Sequence, residues 1–192
     1  MSMIVAGAVL LSLLAASPAP GQRAAAPATP ATPGLTITST AFDDGGIIPN
    51  QYTQDATGTP ISPPLKWTHV PPGTVSFAVI IDDVNTALRK TPAEVLHWLI
   101  FNIPGSARAL PPDVPHSPHL PDGAIQAINS HGSVGFVGPG APAAGPYHHY
   151  VFQIYALDTK LSLGPDATRE DVLKAMEGHV LGKGAMVGRF HR

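Results

Sequence analysis

Short apolar runs bounded by proline and glycine restrict the fold of this chain more than any other feature of its sequence. Proline fixes and glycine frees the backbone dihedrals, so both residues interrupt helices and stop strands. The runs at 75–82 and 96–102 are apolar at odd and even positions alike, which suits central strands covered on both faces. The chain is therefore predicted to be mostly β. The strand-like runs are LTITST (35–40), VSFAVIID (75–82), LHWLIFN (96–102) and HHYVFQIYALD (148–158), and the turns between them are PPG (71–73), IPGS (103–106), LPPD (110–113) and GPGAPAAGP (138–146).

One segment, TREDVLKAME at 168–177, has the pattern of a helix. Thr168 can cap its first turn, where acidic residues are favoured, and Asp171 follows three residues later. Gly178 ends the segment. Its apolar residues share one face: Val172, Ala175 and Met176. Because 192 residues suit one buried core, we expect one β-rich pair of layers that carries a late helix.

The first 34 residues differ in composition from the rest of the chain. Residues 4–16 form an apolar run as long as a signal-peptide core and shorter than a membrane span of roughly 20 residues. We therefore assign 1–16 to a signal peptide, 17–34 to an Ala/Pro/Thr-rich linker and 35–192 to the folded domain. Export to the periplasm or the medium is expected, with a cytoplasmic protein as the alternative and no membrane span after processing. The chain has no cysteine, which excludes disulfides and a lipoprotein anchor.

Several classes of function lack their sequence signatures. A formal net charge of −2, with eleven scattered Lys and Arg residues, offers no basic footprint for nucleic acid. The nucleophile elbow fails because HGSVG has histidine where the first glycine belongs, and GPGAPA contains prolines that forbid a dinucleotide-binding helix. GHVLGKGA lacks the spacing and the Ser or Thr of a phosphate-binding loop, and no zinc-binding helix motif is present. The chain is thus predicted to be neither an enzyme nor dependent on a cofactor or metal.

Four polar residues occur in or beside otherwise apolar strands: Asp83, His97, His148 and Tyr150. A polar group at such a position is either paired or functional. Two imidazoles and a phenol supply donors for the oxygens of an anion, and a carboxylate fixes the tautomer of an imidazole, so the group suits phosphate or carboxylate recognition. Each histidine alone fits an ordinary structural role as well, and two histidines with one aspartate are also acceptable zinc ligands.

The order of several motifs resembles the phosphatidylethanolamine-binding protein family, in particular its bacterial YbhB/YbcL or Raf-kinase-inhibitor-like branch. The resemblance covers about residues 35–191, and the motifs are SPPLKW (62–67), VPPGTVSFAVIIDD (70–83), HWLIFNIP (97–104), the loop at 138–146, HHYVFQIYALD (148–158) and AMEGHVLGKGAMVGRF (175–190). It implies a β-sandwich with a large central antiparallel sheet, a smaller sheet and short C-terminal helical structure. It also implies an anion pocket at one end of the large sheet.

The pocket motifs of this family can be matched to this sequence residue by residue. The D-P-D-A-P loop of the family falls on 83–87, its H-W strand on 97–98 and its H-R-Y strand on 148–150. The sequence departs from the family where Val84, Asn85 and Ala87 replace Pro, Asp and Pro, so the second carboxylate is lost. The G-P-x-P-P pattern is met by Gly138, Pro139 and Pro142, with Ala141 in place of one proline, and these residues are expected to wall the pocket.

The leading hypothesis is a binding module for a small anionic ligand, bearing phosphate or carboxylate, such as a lipid head group or a phosphopeptide, with an inhibitory role toward a protein partner. One alternative is a hydrolase or transferase that uses His97 or His148 as general base, oriented by Asp83. Another is a protein inhibitor that acts independently of the pocket. A homodimer is compatible with the sequence, and no motif identifies the ligand or the partner.

Overall fold

The computed structural model describes residues 33–86, 90 and 92–192. The predicted signal peptide (1–16), nearly all of the predicted linker (17–34) and Ala87 lie outside the described residues. Within them, no helix combines the length and the apolar character needed to cross a membrane. The strands are β1 (Thr36–Ser39), β2 (Gly46–Ile47), β3 (Leu65–Thr68), β4 (Ser76–Asp83), β5 (Val95–Pro104), β6 (Ala109–Leu110), β7 (Ile125–Gln126), β8 (His148–Leu157) and β9 (Val180–Phe190), and the α-helix is α1 (Arg169–Met176).

The strands form two sheets, as the resemblance implies. A six-stranded sheet has the order β2-β9-β8-β4-β5-β7, and a three-stranded sheet has the order β1-β3-β6. The large sheet is mixed rather than wholly antiparallel, because the two-residue strand β2 pairs in parallel with β9 at one edge. A tight turn causes this departure: Gly45 has a φ of 74° and the amide of Gly46 donates to the carbonyl of Asp43, so the chain turns to run alongside β9.

The two central strands, β4 and β5, are covered on both faces, which confirms the interpretation of their apolar runs. Residues 76–83 of β4 are all buried. The small sheet covers one face, where the rings of Trp67 and Phe77 lie 5.2 Å apart between centroids. The other face packs under α1, whose Val172 and Met176 are buried against Ala78 and other apolar side chains. Burial on both faces removes more apolar area from water than a half-exposed sheet would.

The helix begins and ends as its sequence predicts. Thr168 accepts a hydrogen bond from the amide of Asp171 at 3.1 Å, and the carboxylate of Asp171 accepts one from the amide of Thr168 at 2.9 Å. This reciprocal pair satisfies two amides that a helix N-terminus otherwise leaves without partners. Gly178 follows the helix with a φ of 80°, a backbone conformation that favours glycine.

Strand β9 is the main element that the strand patterns did not predict. Glycines interrupt its apolar sequence, and glycine is normally depleted in strands. The structure explains two of them by close approach. A Cβ at Gly184 would overlap the carbonyl oxygen of Leu35, and a Cβ at Gly188 would lie 2.6 Å from side-chain carbons of Ile48. Glycine here lets neighbouring chain segments pack directly onto the strand.

Candidate functional site

The sheet register brings the polar residues of three strands to one place. β4 is antiparallel to both β5 and β8, so its C-terminal end meets the first residues of those two strands. Asp83, the last residue of β4, lies opposite Val95 of β5 and Tyr150 of β8. Paired residues share a face of the sheet, and His148 lies two positions before Tyr150 on that same face. Asp83, His148 and Tyr150 are therefore neighbours because of strand pairing.

A β-bulge adds His97 to this group. Between the pairs Ile81–Trp98 and Asp82–Leu96, β4 advances one residue while β5 advances two, so His97 is the extra residue of the ladder. A bulge bends its strand and re-aims the side chain at the extra position. The His97 ring lies edge-on to the Tyr150 ring, with centroids 5.1 Å apart. The sequence placed His97 on a strand, but only the bulge turns it toward the others.

Asp83 holds His148 in one tautomer. The His148 Nδ1 lies 2.7 Å from the Asp83 Oδ2, and the same carboxylate accepts from the amide of Asn85 at 2.9 Å and from the Thr86 hydroxyl at 3.0 Å. Because a carboxylate only accepts hydrogen bonds, the proton of the pair lies on the His148 Nδ1. The Nε2 of His148 is left as the ring nitrogen available to a ligand.

His97 is held in the same tautomer by a different partner. Its Nδ1 lies 2.8 Å from the carbonyl oxygen of Val137, so Nδ1 carries the hydrogen and Nε2 keeps a lone pair in the neutral ring. Burial lowers the pKa of His97, and this effect outweighs the Val137 carbonyl and the Asp83 charge, which raise it. The His97 ring is thus a buried, predominantly neutral imidazole near neutral pH.

Tyr150 is the unusual member of the group. Its side chain is fully buried, yet its hydroxyl has no hydrogen-bond partner within the described structure. Burial raises the pKa of Tyr150, and the Asp83 charge raises it further. The amides of Gly140 and Ala141 face the phenol oxygen closely enough to lower its pKa, although neither completes a hydrogen bond with it. A buried hydroxyl without a partner costs stability, so native proteins rarely keep one.

These side chains line a cavity of about 280 Å³. Its wall comprises Gln54, Asp83, Thr86, Val95, His97, His131, Gly140, Ala141, Pro142, His148 and Tyr150. The structure therefore brings together five of the seven residues singled out from the sequence. Gly138 and Pro139 lie beside the cavity instead of on its wall. Their carbonyl oxygens accept from the Gln54 side chain at 3.1 Å and from the Gln54 amide at 2.8 Å.

Six wall residues were not among the predicted ligand contacts. Gly140 and Ala141 follow the predicted Gly-Pro pair directly, so the motif located the loop and, of its contact residues, only Pro142. Thr86 belongs to the loop that the family resemblance covered, and Val95 precedes His97 on β5. Gln54 and His131 come from distant loops, and nothing in their local sequence indicates a site. His131 reaches the cavity with its ring centroid 5.8 Å from that of His97.

Asn85, which replaces the second carboxylate of the family pattern, has a structural partner. Its Oδ1 accepts from the amide of His149 at 2.7 Å and therefore ties the loop after β4 to the start of β8. The backbone amide of Asn85 donates to the Asp83 carboxylate. The substitution thus removes a charge from the pocket loop and retains an oxygen that organises it.

The neighbouring aspartate, Asp82, lies on the opposite face of the sheet. The Arg169 guanidinium donates two hydrogen bonds to its Oδ2, at 2.9 and 3.1 Å, while the Oδ1 is buried without a partner. Burial raises the pKa of Asp82 despite the Arg169 charge, which lowers it. Asp82 therefore anchors α1 to the sheet and takes no part in the cavity.

The chemistry of the cavity follows from its charges. Among the described residues of its wall there is one carboxylate, three imidazoles and one phenol, and neither Lys nor Arg. Arg192 stands outside the wall, where it donates to Asp55 and to Gln54. In the part of the chain that the structure describes, no three His, Asp or Glu side chains are arranged to hold a metal ion. The arrangement can offer hydrogen bonds to a small polar ligand.

Comparison with known proteins gives consistent results. The family model described as phosphatidylethanolamine-binding protein matches residues 38–191. A UPF0098 protein of Methanothermobacter thermautotrophicus is 45% identical over 159 residues, which cover 82% of this chain and 99% of that protein. A UPF0098 protein of Aquifex aeolicus is 37% identical over 159 residues, covering 82% and 89%.

Two further relatives bear on fold and localisation. The crystal structure of E. coli YbcL, described as a member of the mammalian PEBP family, superimposes with a TM-score of 0.75 at 28% identity and covers 83% of this chain and 99% of that one. LppC of Mycobacterium tuberculosis, whose name proposes a lipoprotein, is 34% identical over 162 residues and covers 84% of this chain and 74% of that protein.

Proposed function

Because this chain belongs to the phosphatidylethanolamine-binding protein family, we propose that its cavity binds a small anionic ligand that carries a phosphate or carboxylate group. The observation that carries the proposal is the buried Tyr150 hydroxyl, which has no hydrogen-bond partner within the described structure and belongs to a residue of the cavity wall. A ligand oxygen is the acceptor that this hydroxyl lacks. A bound anion would therefore supply the acceptor for this hydroxyl.

Further hydrogen-bond donors lie near the Tyr150 hydroxyl. The Gly140 and Ala141 amides face the Tyr150 oxygen, and successive backbone amides of this kind form concavities that bind anions. His148 contributes its Nε2 from the adjacent strand, in an orientation that Asp83 fixes. Since strand pairing and a Pro-containing loop hold these groups in place, little ordering would accompany ligand binding.

The size of the cavity limits the ligand. A volume of about 280 Å³ is at the lower end for sites that enclose small molecules. It suits a phosphate with a short substituent, such as the head group of a phospholipid, and not an acyl chain. We therefore choose O-phosphorylethanolamine as the test ligand, because it carries the phosphate and amine of that head group without the lipid.

Isothermal titration calorimetry with O-phosphorylethanolamine tests the proposal. We expect saturable one-to-one binding by the wild type and a loss of at least about tenfold in affinity for Asp83→Ala and His148→Ala, since each removes one side chain of the hydrogen-bonded Asp83–His148 pair. The matched control is His179→Ala. His179 and Asp158 form a second His–Asp pair, also 2.7 Å apart, but exposed and away from the cavity. Binding that survives both cavity substitutions would refute the proposal.

An enzymatic role has one observation in its favour. The Asp83–His148 pair has the geometry of an oriented general base, because the carboxylate engages the Nδ1 of a histidine that belongs to the cavity wall. The Thr86 hydroxyl is no nucleophile for this base, because it lies at the Nδ1 side and donates to Asp83. Turnover of p-nitrophenyl phosphate or p-nitrophenyl acetate that is abolished by His148→Ala, with His179→Ala active, would favour a hydrolase over a binding module.

Two other proposals concern partners and location. An inhibitory role toward a protein partner is separable from the cavity, because inhibition that persists in His148→Ala would belong to another surface. Export is proposed from the apolar run at 4–16, and the lipoprotein name of a relative is compatible with it. Fractionation of cells that express the full chain tests export, and a full-length product confined to the cytoplasm would contradict it.

A further inference from the structure

The loop that carries the Gly140 and Ala141 amides is held by a second loop, which contains Gln54. The backbone amide of Gln54 donates to the carbonyl oxygen of Pro139 at 2.8 Å, and its Nε2 donates to the carbonyl oxygen of Gly138 at 3.1 Å. Both contacts come immediately before the two amides along the chain. Gln54 therefore fixes the backbone from which these amides project.

Close packing strengthens this connection between the two loops. A Cβ at Gly138 would lie 2.8 Å from the carbonyl carbon of Thr53, and a Cβ at Gly140 would overlap the side-chain amide of Gln54. Glycine at both positions allows the loops to touch through their backbones. The position of Gly140 thus depends on the position of the Gln54 side chain.

The Gln54 side chain is itself held by Arg192. The Nη2 of Arg192 donates to the Gln54 Oε1 at 3.1 Å, and its Nε donates to the Asp55 Oδ1 at 2.8 Å. Because a guanidinium is a rigid planar fork, one side chain can bind two successive residues in a fixed geometry. Both polar atoms of the Gln54 side chain are therefore engaged within the protein.

We propose that Gln54 and Arg192 are positioning residues for the anion site: Arg192 orients the Gln54 side chain, which holds the Gly140 and Ala141 amides in place for a ligand oxygen. The inference rests on the proposed function and deepens it, because it assigns the shape of the site to a clamp outside the strands. Amides fixed in advance bind an oxyanion with little further ordering.

Arg192 has a second route to the site, through its charge. Burial raises the pKa of Tyr150, and the Arg192 charge has a smaller, opposing effect on it. The Arg192 side chain is 42% exposed, however, so solvent and salt screen its charge. Arg192→Lys separates the two routes, since lysine keeps the charge and lacks the fork.

Calorimetric titration with sulfate tests the clamp, because the outer atoms of sulfate are all oxygens and its affinity reports on hydrogen-bond donors. Gln54→Met should weaken sulfate binding by about three- to tenfold, the range expected for one or two lost hydrogen bonds. Arg192→Met and Arg192→Lys should each weaken it by about two- to threefold. In the Gln54→Met background, Arg192→Met should have no further effect, because its action passes through Gln54.

Two variants serve as matched controls, Gln51→Met and Arg108→Met. Gln51 is exposed and lies three residues before Gln54. Arg108 also ties down a loop, since it donates to the carbonyl oxygens of Gly105 and Ala107, but that loop follows the end of β5 opposite to the cavity. Both controls should bind sulfate with wild-type affinity.

Backbone ¹⁵N relaxation of the ligand-free protein gives a readout that needs no ligand. Rigid backbone amides have order parameters of about 0.85, and flexible ones fall below about 0.6. We expect rigid Gly140 and Ala141 amides in the wild type, and lower values in Gln54→Met and Arg192→Met. Because Gln54 and Arg192 are exposed, the Tm of these variants should stay within about 2 °C of the wild type.

The outcomes separate this inference from the proposed function. Wild-type sulfate affinity in Arg192→Lys, or additive losses in the double variant, would make Arg192 a source of charge and overturn the clamp. Weaker binding by Gln54→Met with rigid Gly140 and Ala141 amides would make Gln54 a direct ligand contact and overturn its positioning role. Mobile amides with unchanged affinity would also overturn that role while anion binding stands. If neither sulfate nor O-phosphorylethanolamine binds the wild type, the proposed function fails, and the positioning role fails with it.

Discussion

Replacing Tyr150 with phenylalanine should stabilise the protein and weaken ligand binding at the same time. The substitution removes one oxygen atom and keeps the ring, which is buried and packed edge-on against His97. Most substitutions of a buried polar residue remove a hydrogen bond from the empty protein. This one removes no complete hydrogen bond within the described structure, because the Gly140 and Ala141 amides approach the Tyr150 oxygen without completing one.

The size of both effects follows from that hydroxyl. A buried polar group without a partner costs about 1–3 kcal/mol, so its removal should raise the free energy of unfolding by about 1 kcal/mol. For a chain of this length, such a gain corresponds to an increase in Tm of about 2–4 °C. Loss of a hydrogen bond to a charged ligand costs about 1.5–3 kcal/mol, which weakens anion binding by about 10- to 100-fold.

Tyr155→Phe is the matched control, because Tyr155 is also buried on β8. Its hydroxyl donates to the Gln153 Oε1 at 2.9 Å, on the face of the sheet away from the cavity. Tyr155→Phe should lower the Tm and leave sulfate affinity unchanged. Differential scanning calorimetry and sulfate titration of both variants give the comparison. The reasoning is refuted if Tyr150→Phe lowers the Tm as Tyr155→Phe does and binds sulfate with wild-type affinity.

Four further predictions concern the scaffold. Arg169→Ala leaves the buried Asp82 carboxylate without its cation and should cost about 2–3 kcal/mol of unfolding free energy at pH 7. Adding Asp82→Asn to this variant should restore part of the lost stability. Urea denaturation measures both effects. Because the pKa of Asp82 is raised, the folded state binds the Asp82 proton more tightly than the unfolded state does. Wild-type stability should therefore fall as the pH rises from 3.8, the ordinary pKa of Asp, through the raised pKa of Asp82. Asp82→Asn should remove this part of the pH dependence. Thr168→Ala breaks the capping box and should cost about 1 kcal/mol, with no change in sulfate affinity. Gly184→Ala should destabilise the protein by more than Thr168→Ala, because its Cβ would overlap the backbone of Leu35, and equal thermal stabilities would contradict that packing.

The strands that carry the site were predictable because their signals are local. An apolar run at both parities identifies a covered strand wherever it pairs, and β4, β5 and β8 each contain such a run or an aromatic, β-branched one. A polar residue at the end of such a run stands out against it. Asp83, His97, His148 and Tyr150 are identifiable in this way from the sequence alone.

The loops of the cavity were less predictable because their contacts depend on distant parts of the chain. Gly138 and Pro139 were expected to contact the ligand, but Gln54 binds their carbonyl oxygens from another loop. Gly140 lies so close to Gln54 that a Cβ there would overlap the Gln54 side chain. A pattern of Gly and Pro indicates a rigid turn, but it does not specify which amides face outward.

The adjacent aspartates at the end of β4 show how pairing assigns different roles to identical residues. Successive side chains of a strand point to opposite faces, so Asp83 faces the cavity and His148, and Asp82 faces α1 and Arg169. A slip of one residue in the pairing of β4 with β8 would exchange the two carboxylates. The irregularity near this point lies only in the pairing of β4 with β5, where it re-aims His97, while β4 and β8 stay in regular register. Regular pairing on one side and a bulge on the other are thus both required to direct Asp83, His148 and His97 into a single cavity.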